Sequence, residues 1–281
     1  MKRNLLIWLT CLFYFTACSN DDTPIPNASV LEAFNIKYPT ASLIKWENKN
    51  PYITAEFVDN NQAHTAWFDT QGQWYMTETE LKDITQLPPD VLTAFQSSPY
   101  ATWTTDDIDC LERSDAETIY VIEVKKGNQE YDLHYSTDGI LLQAVADNDT
   151  DDNEKYLPDP TPLPAALQEF ITKQYPGARI IDTEKKHSQT EVDIIHEKKS
   201  KEVVFDTQNQ WINTHYNVLK NEVENNVLQA LNQSEYANYT IDDIEKYETA
   251  NGYYYLFELE KGEMEIELQI DTKGQITLIN K

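Results

Sequence analysis

The chain is written twice. FDTQGQW at 68–74 returns as FDTQNQW at 205–211, and Tyr38-Pro39 returns as Tyr175-Pro176, both 137 residues later. TTDDID at 104–109 matches TIDDIE at 240–245, and YVIEVKKG at 120–127 matches YLFELEKG at 255–262. Markers that recur in one order at nearly constant offset mean a duplicated structural unit. The seam is DNDTDDNEKYLPDPTP, residues 147–162, whose acid and proline content gives it little to bury. It reads as a stiffened linker between one domain at 28–146 and a second at 163–281.

Each half divides again. VLEAF at 30–34 is echoed by VLTAF at 91–95, and Phe68-Asp69-Thr70-Gln71-Gly72 more weakly by Tyr135-Ser136-Thr137-Asp138-Gly139. The reading is four units, each a helix followed by about four short antiparallel strands. Units of that size bury little surface alone, so pairs are expected to share a core. Tyr120, Ile122 and Val124 alternate with Val121 and Glu123; Ile266, Leu268 and Ile270 alternate with Glu265, Glu267 and Gln269. This period of two predicts strands with one apolar face under the helices and one polar, mostly acidic face in water. The predicted class is α+β: antiparallel sheets with helices packed on one side. Tyr is abundant (17) and Gly scarce (7), which suits strands better than a Gly-rich nucleotide fold. Asp69 and Asp206, and the pairs Asp106-Asp107 and Asp242-Asp243, recur at matching places and are expected in turns.

These framework motifs (V-x-x-x-F, then YP-x-A, FD-x-x-G-x-W, the acidic turn and YVIEV) resemble the PepSY-like, β-lactamase-inhibitor-like family, in two copies across nearly all of 28–281. The resemblance implies secreted or periplasmic α+β modules related to inhibitory propeptide domains. It carries no contact residue onto this chain, because the motifs are architectural.

The first residues read as an address. Met1-Lys2-Arg3 precedes an apolar run from Leu5 to Phe15, too short to span a bilayer comfortably and right for a signal-peptide core. Phe15-Thr16-Ala17-Cys18 resembles a bacterial lipobox, so residues 1–17 are expected to be cleaved and Cys18 to be acylated, with 18–27 as an acidic tether. Asp21-Asp22 resembles a surface-export signal. The expected location is therefore the outer membrane, at the cell surface or the periplasmic face, held through a lipid anchor. Net charge is −26, and losing Lys2 and Arg3 with the leader makes it −28. That balance excludes nucleic acid as a partner, since phosphate contacts need clustered Lys and Arg. Of the three cysteines only Cys110 then remains unmodified, which precludes an intrachain disulfide. It reads as a small buried residue.

Catalytic signatures are missing. His196-Glu197 lacks the second His of a zinc-protease helix, and there is no nucleophile elbow or phosphate-cradling glycine loop. His134 is expected solvated on the polar sheet face. No cofactor is expected, and the chain reads as a binding protein rather than an enzyme. The one metal-like pattern is Asp147, Asp149 and Asp151, which resembles the start of an EF-hand loop. Asp152 stands where Gly is needed and Pro158 where a bidentate Glu is needed, so a solvated linker is favoured over calcium.

Comparing the copies separates framework from freedom. Phe68/Phe205, Trp74/Trp211 and Tyr120/Tyr255 agree and read as architecture. Trp46 faces Thr183 in the comparison, and Trp67 faces Val204; alternation puts Trp67 opposite core-facing Phe68. Trp46 and Trp67 are thus candidate contact residues, with Tyr253 and Tyr254 beside the Asn251-Gly252 turn as weaker ones. The expected partner is a protein or peptide, favoured to be basic, met by occlusion with a rigid surface; capture of a glycan through Trp46 and Trp67 is the alternative.

Overall fold

A computed structural model describes residues 25–146, 153–159, 161–186 and 188–280. The first half runs α1 (Ala28–Lys37), β1 (Ser42–Lys49), β2 (Tyr52–Asp59), β3 (Gln62–Phe68), β4 (Trp74–Glu80), α2 (Pro89–Ser97), β5 (Thr104–Arg113), β6 (Ile119–Lys126), β7 (Gln129–Ser136) and β8 (Leu141–Ala146). The second repeats it: α3 (Ala165–Gln174), β9 (Arg179–Lys186), β10 (Gln189–His196), β11 (Lys199–Asp206), β12 (Trp211–Asn217), α4 (Asn225–Asn232), β13 (Thr240–Thr249), β14 (Gly252–Lys261), β15 (Met264–Asp271) and β16 (Ile276–Asn280). Each half forms one eight-stranded sheet in which every strand pairs antiparallel with its sequence neighbour. The four helix-plus-four-strand units are those the sequence suggested.

The repeated motifs are joints of this frame. Each helix offers the sheet an i, i+4 pair: Val30 and Phe34, Val91 and Phe95, Leu167 and Ile171, Val227 and Leu231, all buried. Helices of eight to ten residues are marginal alone, so these pairs hold them in place. Pro39 and Pro176 prevent α1 and α3 from continuing. The preceding tyrosines then turn inward: Tyr38 hydrogen-bonds Thr77, and Tyr175 Oη donates to Thr214 Oγ1 at 2.7 Å. The same threonines take the indole N–H of Trp74 (2.8 Å) and Trp211 (3.0 Å). The Asp of FDTQ closes its turn by accepting two backbone N–H bonds: Asp69 from Gln71 and Gln73, Asp206 from Gln208 and Gln210.

Each helix has its own apolar cluster beneath it, so the two units of a half are joined by the continuous sheet, through β4–β5 and β12–β13, rather than by a single shared core. Asp106-Asp107 and Asp242-Asp243 lie within strands, at register irregularities near the starts of β5 and β13, and not in turns. Asp107 there accepts the backbone N–H of Ile108 at 2.8 Å. Cys110 is half-buried, and burial pushes its thiol up to about 11.

The main departure from expectation is the far face of the first sheet. The strand pattern predicts a wet, acidic face; the face is apolar and closed. Trp67, Met76, Leu111, Ile119 and Val121 form a fifth cluster there, with Tyr156 of the linker and Ile181 and Ile195 of the second half. The linker is thus not merely solvated. A short 3₁₀ turn at Asn153–Tyr156 carries Tyr156 onto this face, where its hydroxyl meets His134 Nε2 at 2.6 Å. His134, expected in solvent, is 2% exposed, and burial depresses its pKa to about 3. Arg113 bolts the halves together: it donates to Asp182 Oδ2 (2.6 Å), to the Ile181 carbonyl (3.0 Å) and twice to the Glu117 carbonyl. Arg179 adds Asp138 at 2.7 Å and Glu117 at 3.5 Å.

Candidate functional site: the far face of the second sheet

The register of the second sheet places Asp182, Asp193, Glu202, His215, Tyr247, Tyr254 and Asp271 side by side as successive partners across seven strands. All point away from the helices, because their strand neighbours Val192, Val203, Thr214 and Tyr255 line the helix side. Three rings of this row are parallel. His215 and Tyr247 stack at 4.7 Å and 5°, Tyr247 and Tyr254 at 5.2 Å and 4°. Those separations approach the spacing between strands, so the rings stand upright beside one another like books on a shelf. Leu256 and Gln269 lie in the adjoining row, where Glu245 pairs Leu256 and Leu256 pairs Gln269.

The polar end of the row is crowded with like charge. Burial, followed by the charges of Glu202 and Asp182, raises Asp193 to about 7; burial and Glu191 raise Glu202 to about 7. His215 Nε2 lies 3.6 Å from Glu202, yet burial lowers the pKa of the imidazole, so the ring stacks in its neutral form near neutral pH. Further along β14 and β15, Glu258 faces Glu267 and Glu260 faces Glu265. Like charges directly opposite one another destabilise a sheet. Lys186, also on this face, is engaged by Glu191 and Glu184.

The first sheet holds the same positions with other residues. Leu111 stands where Tyr247 does, Ile119 where Tyr254 does, Val121 where Leu256 does, Met76 where Asn213 does, and Glu78 where His215 does. One copy of the face was made apolar and closed over; the other was made aromatic and acidic. Comparing the copies at these positions would have found the site, since Leu111/Tyr247 and Ile119/Tyr254 are legible in the sequence alone.

The proposed contact residues divide accordingly. Trp67 does lie opposite Phe68, but it is 2% exposed, because the linker and second half cover it. Trp46 packs edge-on against Phe34 at 5.0 Å on the helix side and is half-buried. Tyr253 is also on the helix side; its hydroxyl donates to Glu224 (2.7 Å), and Lys246 Nζ sits 4.1 Å from its ring centre. Tyr254 alone of the four stands on the uncovered face. Asp147, Asp149 and Asp151 lie outside the described residues, and among the described residues no group of three or more acidic, His or Cys side chains is placed to hold a metal.

A family model described as "Putative beta-lactamase-inhibitor-like, PepSY-like" matches residues 51–143 and 190–277, one span in each half. Among solved structures, a BLIP-like protein from Bacteroides fragilis is 38% identical, matched over 48% of this chain and 97% of its own, at a TM-score of 0.45. A DUF2874 family protein from Bacteroides ovatus is 35% identical over 46% of this chain and 92% of its own (TM-score 0.44). Another DUF2874 protein, from Bacteroides uniformis, is 27% identical over 43% and 90% (TM-score 0.42). Among curated proteins no relative matches.

Proposed function

We propose, from the premise that the chain belongs to the PepSY-like, beta-lactamase-inhibitor-like family, that it is a non-enzymatic binding protein of the cell envelope. In this reading it is held by lipid at Cys18 and presents the far face of its second sheet to a protein or peptide partner. One observation carries the reading: of two equivalent faces, one is sealed with Trp67, Met76 and Leu111, while the other bears an aromatic row flanked by carboxylates, and the described linker residues Tyr156 and Leu157 pack on the first. Upright rings around Leu256 supply contact area at little entropic cost, and surrounding charge selects and steers the partner. The buried Arg113 contacts make the two halves a rigid support for that surface. The glycan reading loses its residues, since Trp46 and Trp67 are both engaged in packing.

What supports the anchor is the leader and lipobox-like segment at residues 1–18. Cys18→Ala is expected to abolish membrane retention; retention of that variant in the membrane fraction would refute the anchor. The face is tested by affinity capture from envelope extracts with the mature protein and with Leu256→Arg/Gln269→Arg. The reading expects a retained protein that the double variant loses. Equal retention by both would remove this face as the contact surface.

A further inference from the structure

Elsewhere this chain sets its own lysines over several aromatic rings. Lys37 Nζ lies 3.7 Å from the ring centre of Trp74, Lys201 4.4 Å from Tyr216, Lys246 4.1 Å from Tyr253, and Lys261 5.1 Å from Tyr239. Among the described residues, no lysine or arginine is placed over His215, Tyr247 or Tyr254. The ring stack ends at Tyr254, whose outer side looks toward Asp271, its register partner on β15. A planar cation inserted there would continue the stack and meet a carboxylate at its edge. Four residues further along β14 is Glu258, about 13 Å away at strand rise, opposite Glu267 and beside the Glu260–Glu265 pair. Glu258 also faces Asp243 across the other edge. Among the described residues no lysine or arginine ion-pairs with Glu258, Glu260, Glu265 or Glu267. No described cation therefore relieves the repulsion among these acids.

Resting on the reading above, we infer that the β14–β15 strip is a docking site for an extended basic segment of a protein or peptide. One arginine of that segment stacks on Tyr254 beside Asp271, and a second cationic residue four positions along sits among Glu258, Glu260, Glu265 and Glu267. Charge complementarity and spacing both select this occupant: positions i and i+4 of an extended chain point to the same side and span the distance between the two sites. Arginine is favoured over lysine at the stacking position because guanidinium is planar and less strongly hydrated.

The test uses the mature protein, purified in detergent, and acetylated seven-residue peptides with arginine at positions two and six in a serine background. Matched peptides carry lysine or the neutral isostere citrulline at those positions. Binding is measured by fluorescence anisotropy at fixed salt. The arginine peptide is expected to bind about tenfold more tightly than the citrulline peptide. Tyr254→Leu should weaken the arginine peptide about fivefold and the lysine peptide less than twofold. Glu258→Gln/Glu267→Gln should weaken both cationic peptides, whereas Glu32→Gln/Glu169→Gln on the helices, with the same charge change, should not. The inference fails if arginine and citrulline peptides bind alike, if Tyr254→Leu leaves arginine binding unchanged, or if the helix variant weakens binding as much as the strip variant. Peptide failure with face-dependent capture intact would remove the basic occupant and leave the binding face standing. Failure of both would remove both.

Discussion

Asp193 shows what single residues contribute here. Its carboxyl lies between Asp182 and Glu202, away from bulk water, and is held near 7, well above its value in an unfolded chain. The folded state therefore binds more protons than the unfolded state between about pH 4 and pH 7. Stability is present at the acid side of that window and is lost as pH rises through it. Glu202, raised for the same reasons, acts in the same direction. Buried His134, held near 3, acts in the opposite direction below about pH 6.5, but the two acids together outweigh it, so thermal unfolding should occur at higher temperature at pH 5 than at pH 8. Asp193→Asn should remove part of that slope and stabilise the protein at pH 8 by about 1–2 kcal/mol, as read by denaturant unfolding at both pH values. A variant with wild-type stability and slope would show that Asp193 is not strained by its neighbours. None of this could be read from spacing. A strand pattern gives the face on which an acid lies, but the effect depends on which acids the register sets beside it, and on what covers them.

At the scale of elements, the frame was legible and its closure was not. The motifs YP, FDTQ and the aromatic after it were recognisable as structure because they recur. The reason is now visible in Tyr38 and Trp74 meeting at Thr77, and Tyr175 and Trp211 at Thr214. Turns between the third and fourth strand of a unit press against a helix start. Gly139 has φ of +77°, and an added Cβ would lie 2.4 Å from the Asp90 carbonyl oxygen. Gly127 has φ of +66° with open space around it. Gly139→Ala is expected to cost more than about 2 kcal/mol, and Gly127→Ala only about 1 kcal/mol, by denaturant midpoint. Equal costs would mean that the turn does not bear on α2. The docking of the linker was not legible because its composition dominates the average while single residues do the packing. Asp and Pro surround Tyr156 and Leu157, but those two side chains reach an apolar face already shaped to receive them.

For the whole molecule, duplication followed by divergence is the organising fact. The two sheets share topology, register and helix-side chemistry, and differ on the other side. Alternation within β6 and β15 marks the helix-facing sides correctly. It missed that Trp67, Met76, Leu111, Ile119 and Val121 together make one far face apolar, because those residues are scattered over four strands. Arg113 is the polar centre of the junction, and Arg113→Ala would leave Asp182 and two backbone carbonyls without their partner. The expected loss is about 3 kcal/mol, with calorimetric unfolding splitting from one transition into two. A single transition at the wild-type temperature would show that the halves do not depend on this contact.

The most direct measurement is hydroxyl-radical footprinting of the mature protein, with modification read residue by residue by mass spectrometry. Met264 is 48% exposed and serves as an internal reference, while Met76 and Trp67 are 0% and 2% exposed. The account predicts that Met264 and the row His215, Tyr247 and Tyr254 are modified while Met76 and Trp67 are protected. Modification of Met76 and Trp67 at the rate of Met264, with the tyrosine row protected, would reverse the assignment of closed and open faces and contradict the account.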